Sequence, residues 1–395
     1  MEKQDILGAK KLRKKIIKAA CDKKRIIVYA DADLDGVAAA VIFKETIEIL
    51  NPKYKKSDLK IYFPDRENDG YGITLTALEY LKKYAPAEFF ALDCGISNIK
   101  EVGVANKLGF SVGIMDHHQI LGGKLPKADA IVDLYRKGEI YPFKHFSTAG
   151  LVYKIVKPIL NESGLKWEPE RFLELVALAT IADMMPLESE NKDLVDQGLA
   201  AFKYTKRYGL KALREITKVI DDDPMELGQK IIAPLNSSSR IGILTETYVL
   251  FTTGSFREAR MTAYNLIAEH KEKKRKTQEI LEEVEIKIAG KDSPIIFEGG
   301  RNWPSVIIGV VASKICNRYK KPTFLFKFGK EESVGSCRPP KGYDGVKAMA
   351  SCKKLFITYG GHALACGCRI KNKNFEKIRA ALEKYFLKTK PQKNG

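Results

Sequence analysis

The sequence predicts an α/β fold: a parallel-sheet domain followed by a smaller α/β domain, joined by a long helix. Three observations carry this. Short apolar runs alternate with stretches of helical period through the first half, the pattern of a parallel sheet with helices on both faces. Three of those runs end on acids. A helical pattern from about Phe256 to Ala289 then separates this half from a second set of apolar runs. With 395 residues, 45% of them hydrophobic, there is enough apolar material for two cores.

The chain opens on Met1–Lys24, an amphipathic basic helix pattern with Leu12, Ile16, Ile17 and Ala20 on one face. This predicts a surface helix packed on the first domain. It has no continuous apolar core of the kind a secretory signal carries. No apolar run reaches the roughly 18 residues of a membrane span. Seven cysteines without paired spacing argue against a disulfide framework and for a reducing, cytoplasmic setting.

Strands are expected at Ile26–Ala30, Leu59–Phe63, Phe89–Leu92, Ser111–Met115 and Ala130–Val132. Helices are expected at Val37–Leu50, Thr74–Tyr84 and Ile99–Leu108. In such a sheet ligands sit at the C-terminal strand ends. The first run is followed by Asp31-Ala32-Asp33-Leu34-Asp35-Gly36. By itself this reads as a solvated acidic turn or as hard oxygen ligands for a divalent cation. If the segment is extended, residues two apart share a face, so all three acids could line one cleft. Asp93 follows the third run, and Asp116-His117-His118 follows the fourth. Separate strands delivering carboxylates and imidazoles to one edge is what a metal site needs.

A helical region is predicted from Ser147 to Lys218. Within it the apolar run Leu173–Ile181 leads into Asp183, either a helix cap or a further ligand. Pro234–Gly242 is small and polar around Arg240. It reads as an ordinary loop or as a phosphate-binding one in which Arg240 grips bidentately. The long helix carries an apolar stripe at both ends (Ala263, Leu266 and Ile267, then Ile280, Leu281, Val284 and Ile288) and a charged middle, as a connector would. Beyond it, Val306–Val311 and Thr323–Phe328 read as strands. Gly335-Ser336-Cys337-Arg338 and Tyr359-Gly360-Gly361-His362 read as polar punctuation, with Gly-Gly making a turn. His362 then either reaches a ligand or is an ordinary satisfied histidine. The implied division is a metal-binding domain over 1–253, a connecting helix over 254–290 and a substrate-binding domain over 291–395.

Lys plus Arg number 68 against 49 Asp plus Glu, a net charge of +19 with pI near 9.4. That favours a polyanionic partner such as nucleic acid, although Lys-rich surfaces also accompany adaptation to heat.

Taken in order, these residues resemble the DHH phosphoesterase family, and within it the RecJ-type single-strand exonucleases, over roughly Arg25 to Ile370. Asp31–Gly36 looks like the first motif, Leu92–Ser97 the second, and Asp116-His117-His118 the motif that names the family. Thr180–Asp183 with Pro186-Leu187 looks like the fourth. Pro64-Asp65-Arg66, Gly70-Tyr71-Gly72 and Asn236–Gly242 are further RecJ-like signatures. Gly309–Ser313, Gly335–Arg338 and Gly360–His362 resemble the DHH-associated domain.

The resemblance implies two Mn²⁺ or Mg²⁺ ions. Asp31 and Asp33 would hold one, Asp35, His117 and Asp183 the other, and Asp93 would bridge them. His118 would face the scissile phosphate. Arg240, Arg338 and His362, with Ser336, Gly360 and Gly361, would bind the phosphodiester. It further implies a compact exonuclease, without an added oligonucleotide-binding domain, that degrades single-stranded DNA or RNA to nucleoside 5′-monophosphates. Repair or replication proteins are possible partners and no membrane is involved. Smaller relatives suggest two other readings: hydrolysis of very short oligonucleotides, pAp or cyclic dinucleotides, and a structural role in a replication complex.

Overall fold

A computed structural model describes residues 4–65, 71–120, 123–219, 223–236 and 240–389. The chain divides into two compact units, Met1–His270 and Lys271–Gly395. The boundary falls inside the long helix.

Unit 1 begins with α1 (Ala9–Cys21), β1 (Ile26–Ala30), α2 (Leu34–Leu50), β2 (Leu59–Tyr62) and α3 (Leu75–Leu81). It continues with β3 (Ala87–Leu92), α4 (Ile99–Lys107), β4 (Phe110–Met115) and β5 (Ala130–Val132). The five strands form one sheet in the order β2-β1-β3-β4-β5, every pairing parallel. The apolar runs are continuous because both faces are covered. Ile26, Val28 and Ala30 of β1 pack into the core shared with α1 and α2, whereas Ile27 and Tyr29 pack into the core shared with α3 and α4. Along α1, Leu12, Ile16 and Ala20 are fully buried. Ile17, expected on that face, is 39% exposed, because the helix turns it away from the sheet.

A helical layer follows: α5 (Thr148–Glu162), α6 (Pro169–Ala182), α7 (Ser189–Lys203) and α8 (Tyr208–Thr217), then the short α9 (Pro224–Leu227) and α10 (Ala233–Asn236). The predicted loop Pro234–Gly242 is thus partly helical and partly strand, since the hairpin of β6 (Arg240–Ile241) and β7 (Leu244–Thr245) follows. Residues 237–239 lie outside the described residues. After α11 (Glu246–Thr252), α12 runs Phe256–Ile288, within one residue of the pattern in the sequence.

Unit 2 comprises β8 (Ile296–Gly300), α13 (Ser305–Tyr319), β9 (Thr323–Phe328), β10 (Glu332–Arg338), α14 (Gly345–Ala350), β11 (Phe356–His362), β12 (Ala365–Lys371) and α15 (Phe375–Lys388). Its sheet, in the order β11-β12-β10-β9-β8, is antiparallel except for the parallel β8–β9 pair. Two expectations are corrected here. Val306–Val311 is helix, not strand: Ile307, Ile308, Val311, Ala312 and Ile315 are buried at helical spacing. Gly335–Arg338 and Gly360–His362 are not punctuation but the ends of β10 and β11. Glycine suits Gly335 and Gly361 because a Cβ would be crowded there: on Gly335 it would lie 2.5 Å from Phe326.

Candidate metal centre

Three strands place their acids by the same device. Asp31, Asp93 and Asp116 are the first residues beyond β1, β3 and β4. Each continues the ladder with its backbone N–H: Asp31 to the Leu92 carbonyl at 3.2 Å, Asp93 to Met115 at 3.0 Å and Asp116 to Val132 at 3.1 Å. The side chains are therefore fixed along one sheet edge. Asp93 holds φ at 59°, a left-handed conformation uncommon outside glycine and here imposed by its site.

The Asp31–Asp35 stretch is not extended, as expected, but a strand-to-helix turn. Asp33 caps α2, its Oδ1 accepting the Gly36 N–H at 3.0 Å, and Asp35 sits in the first turn of that helix. Helix geometry, not strand alternation, separates the acids. Gly36 permits the turn: a Cβ there would lie 2.3 Å from the Asp31 carbonyl oxygen. Asn236 holds it from the other side, accepting the Leu34 N–H at 2.9 Å.

Asp35 is buried and accepts two backbone N–H groups from the start of α5, Thr148 at 2.6 Å and Ala149 at 2.8 Å. A carboxylate at a helix N-terminus is favoured by the helix dipole. The Thr148 hydroxyl donates to Asp93 Oδ1 at 3.0 Å. His117 Nδ1 lies 3.1 Å from the Phe146 carbonyl, which can only accept, so Nδ1 carries the proton. The free Nε2 then faces Asp93 at 3.3 Å and Asp183 at 3.4 Å. A backbone carbonyl fixing the tautomer of a ligand imidazole is the usual support of a metal site.

His118 is tied through Nδ1 to Asp116 Oδ1 at 2.7 Å. Asp116 also accepts the Ile96, His117 and His118 N–H groups. The Tyr71 hydroxyl lies 3.0 Å from His118 Nε2 and 3.3 Å from the Asp93 carbonyl. Burial acts on both ionised partners of the His118–Asp116 pair. Their mutual bond outweighs it, raising His118 above and lowering Asp116 below their ordinary ranges.

Three other acids of the cluster are pushed the other way. Burial raises Asp35 to about 6. Burial, then the charges of Asp33, Asp35 and Asp31, raises Asp93 well above a normal carboxylate. Asp183 is raised by burial more than His117 lowers it. Carboxylates packed at this density and buried repel one another unless a cation lies among them.

The donor set fits that cation. Ligand atoms converge in three overlapping groups: Asp31, Asp33 and Asp93; Asp93, His117 and His118; and Asp35, His117 and Asp183, each within 4.8 Å. Asp93 and His117 are each shared by two groups. All seven residues singled out around the metal motifs therefore meet. A cavity of about 290 Å³ lined by Asp33, Asp35, Asp183 and Asn236 adjoins them. A larger one, about 720 Å³, lies where α6 and α7 pack near Glu174 and Tyr204 and holds none of these ligands.

The phosphate-side residues fall partly in unit 2. Arg338 is held by Ser336 and Ser313 hydroxyls, each at 3.1 Å, and by the Cys337 carbonyl at 2.8 Å. Gly361 has φ 119°, and a Cβ there would meet the Ala365 carbonyl at 2.7 Å. Gly360 is open. The backbone of Arg240 lies in β6 and that of His362 ends β11, but their side chains lie outside the described residues. So do Arg66 and Gly70.

Sequence reasoning missed Thr148, Phe146 and the supporting role of Asp116. Ser147-Thr148 was visible as a helix start, but nothing local showed that two acids from distant segments would meet there.

Comparison with known proteins bears on this arrangement. Residues 25–180 match the DHH family N-terminal domain and residues 292–388 match the DHHA1 domain. The chain carries a DHH domain followed by a DHHA1 domain. It is 29% identical over 386 residues to the single-stranded-DNA-specific exonuclease RecJ of Bacillus subtilis (strain 168), covering 96% of this chain and 48% of that protein. It is 28% identical over 373 residues to RecJ of Thermus thermophilus, covering 92% and 52%. The chain thus spans about half the length of these curated relatives. Among solved structures, exonuclease RecJ bound to manganese superposes with TM-score 0.87 at 24% identity, covering 99% of this chain and 97% of that one. RecJ from Thermus thermophilus in complex with Mn²⁺ gives 0.80 at 23%, covering 99% and 56%. These likenesses establish the DHH fold in both units. The acid and histidine cluster of this chain is able to hold metal ions.

Proposed function

We propose that the chain is a two-metal phosphodiesterase, a single-strand-specific exonuclease acting on DNA. The observation that carries the reading is the convergence of three overlapping ligand groups on Asp93 and His117 at the C-terminal edge of the sheet. The relatives matched over nearly the whole of this chain are named single-stranded-DNA-specific exonucleases, which supports the substrate class.

In this reading Asp31 and Asp33 would hold one Mn²⁺ or Mg²⁺, and Asp35, His117 and Asp183 would hold the second, with Asp93 placed to serve both. The ions would supply Lewis acidity and a nucleophile at neutral pH. The chain does the rest. Thr148 and the start of α5 orient Asp35 and Asp93, and the Phe146 carbonyl points the free nitrogen of His117 at the acids. Asp116 holds the half-exposed His118 through its Nδ1, placed to donate to a phosphoryl oxygen. We assign metal chemistry to the first unit and phosphate recognition to the second, where Arg338 and Ser336 present donors and Gly360 is open. Arg240 in the first unit and His362 in the second are further residues we assign to phosphate contact. A reducing, cytoplasmic setting fits the seven cysteines, all free thiols.

The test is digestion of end-labelled single-stranded DNA, single-stranded RNA and duplex DNA with Mn²⁺, Mg²⁺ or EDTA. Metal-dependent release of mononucleotides from single-stranded DNA, faster than from duplex, is expected. Asp93→Ala and His117→Ala should each abolish it, and full activity in either would sink the site assignment.

A further inference from the structure

The first helix carries a feature that the metal centre does not use. Among its residues six are basic (Lys10, Lys11, Arg13, Lys14, Lys15 and Lys18) and none is acidic. Arg13 is paired with Asp5, and Lys15 is drawn inward to Glu88 and Asp129. Lys10, Lys11, Lys14 and Lys18 are exposed, and no carboxylate pairs with them among the described residues. Lys10, Lys14 and Lys18 recur every fourth residue, so they form one line at about 6 Å per step. Like charges at that spacing disfavour a helix by a few tenths of a kcal/mol each. The surface of α12 is built differently: Arg275, Lys276 and Lys287 all pair with glutamates three or four residues away.

The placement of the line matters as much as its charge. The N-terminal end of α1 lies at the C-terminal end of the sheet. Gly8 abuts the Ile131 carbonyl of β5, and the Leu7 N–H donates to Glu139 at 2.9 Å. Its second half reaches the opposite end, where Lys15 meets Glu88 near the start of β3 and Ser111 near the start of β4. The helix therefore runs antiparallel to the strands, and its lysines lead away from the edge that carries Asp31, Asp93 and Asp116. The apolar face of α1 is spent on the core: Ala9, Leu12, Ile16, Ala19 and Ala20 are fully buried. A membrane-surface helix needs that face free, so only the charged face is available to a partner.

We propose that this lysine line is an accessory site for the phosphate backbone of single-stranded nucleic acid, holding the strand beyond the nucleotides in the metal centre. It rests on the nuclease reading above for the identity of the polyanion. An ammonium on a flexible stem neutralises a phosphate without reading the base, so the contact is sequence-independent. The metal centre alone would treat short and long strands alike, whereas this line favours strands long enough to reach it.

The test compares the whole chain with the variant Lys10→Gln, Lys11→Gln, Lys14→Gln, Lys18→Gln. A charge-matched control changes Lys373, Lys377, Lys384 and Lys388 to Gln; these are exposed in unit 2, where glutamates are interspersed. Binding of a fluorescent 20-mer of oligo-dT is measured in EDTA, where nothing is cleaved, over a series of KCl concentrations. Each lost phosphate contact lowers the slope of log affinity against log salt by about 0.7, so the α1 variant should lose up to about 2.8. The 20-mer should bind it at least about tenfold more weakly at low salt, with the control much less affected. Mn²⁺-dependent cleavage of a dinucleotide should be unchanged. Any of four results overturns the proposal: an unaltered slope, an equal loss in the control, an equal loss of dinucleotide cleavage, or loss of binding to phosphatidylserine vesicles with 20-mer affinity intact. A wild-type chain that binds the 20-mer but cleaves no phosphodiester would remove the nuclease reading and leave the binding comparison standing.

Discussion

Thr148 serves two acids at once, its N–H bonding Asp35 and its hydroxyl bonding Asp93. Thr148→Val keeps the shape and the backbone bond but deletes the hydroxyl. Supporting residues of this kind typically change metal affinity by about 10–100-fold. Mn²⁺ titration followed by thermal shift should show a loss in that range, with Thr148→Ser close to wild type. Asp183 tests the repulsion argument. Its side chain is 31% exposed, and burial still raises its carboxyl. Asp183→Asn should raise the melting temperature of the metal-free chain by a few degrees, about 1 kcal/mol for a unit of this size. The same change should shrink the further rise produced by Mn²⁺. A metal-free variant less stable than wild type would show that the acids are already compensated.

At the scale of elements, the metal edge is supported from behind by a buried ion network. Arg207, at the start of α8, is 3% exposed. It bonds Glu174 of α6 at 2.9 Å, Glu45 of α2 at 2.8 Å and the Phe251 carbonyl of α11 at 2.8 Å. Burial opposes both acids. Arg207 and Arg171 overcome it at Glu45, which is lowered, but not at Glu174, which stays raised. One guanidinium thus locks four elements, among them α2, which carries Asp35, and α6, which ends at Asp183. Arg207→Ala should cost about 3–5 kcal/mol in urea unfolding, because Glu174 is left buried without its ion-pair partner and Glu45 keeps only Arg171. Elements also mark where local patterns mislead. Val306–Val311 is as β-branched as a strand. Only the register of its buried positions over the full length of α13, against β9 and β10, makes it a helix.

For the molecule as a whole, the net charge of +19 is unevenly neutralised. Glu88, buried near the start of β3, joins Lys15 of α1 to Lys24 of the following turn. Burial raises its carboxyl, but the hydrogen bonds from Lys15 and Lys24 outweigh this and hold it below the ordinary 4.5. A carboxyl lowered in the folded state contributes stability above its unfolded value and loses it as pH falls through the folded one. Unfolding free energy should therefore drop as pH falls below about 4.5. In Glu88→Gln the chain should start less stable at neutral pH and lose less on acidification, as read from denaturant midpoints. Parallel acid limbs in the two proteins would show that the pair contributes nothing.

The sequence by itself determined the strands of the first unit, the long helix and the identity of the acids and histidines that gather. Those follow from local periodicity and from residues placed just past apolar runs. Tertiary structure decided the rest. Asp31, Asp33 and Asp35 are divided by a helix start rather than by strand alternation, because Gly36 lets α2 begin against the Asp31 carbonyl. Asp35 and Asp93 are oriented by Thr148, more than fifty residues away in the chain. Which nitrogen of His117 is free depends on the Phe146 carbonyl. Spacing along a chain can announce which ligands are present, but their orientation is set by hydrogen bonds between segments that only folding brings together.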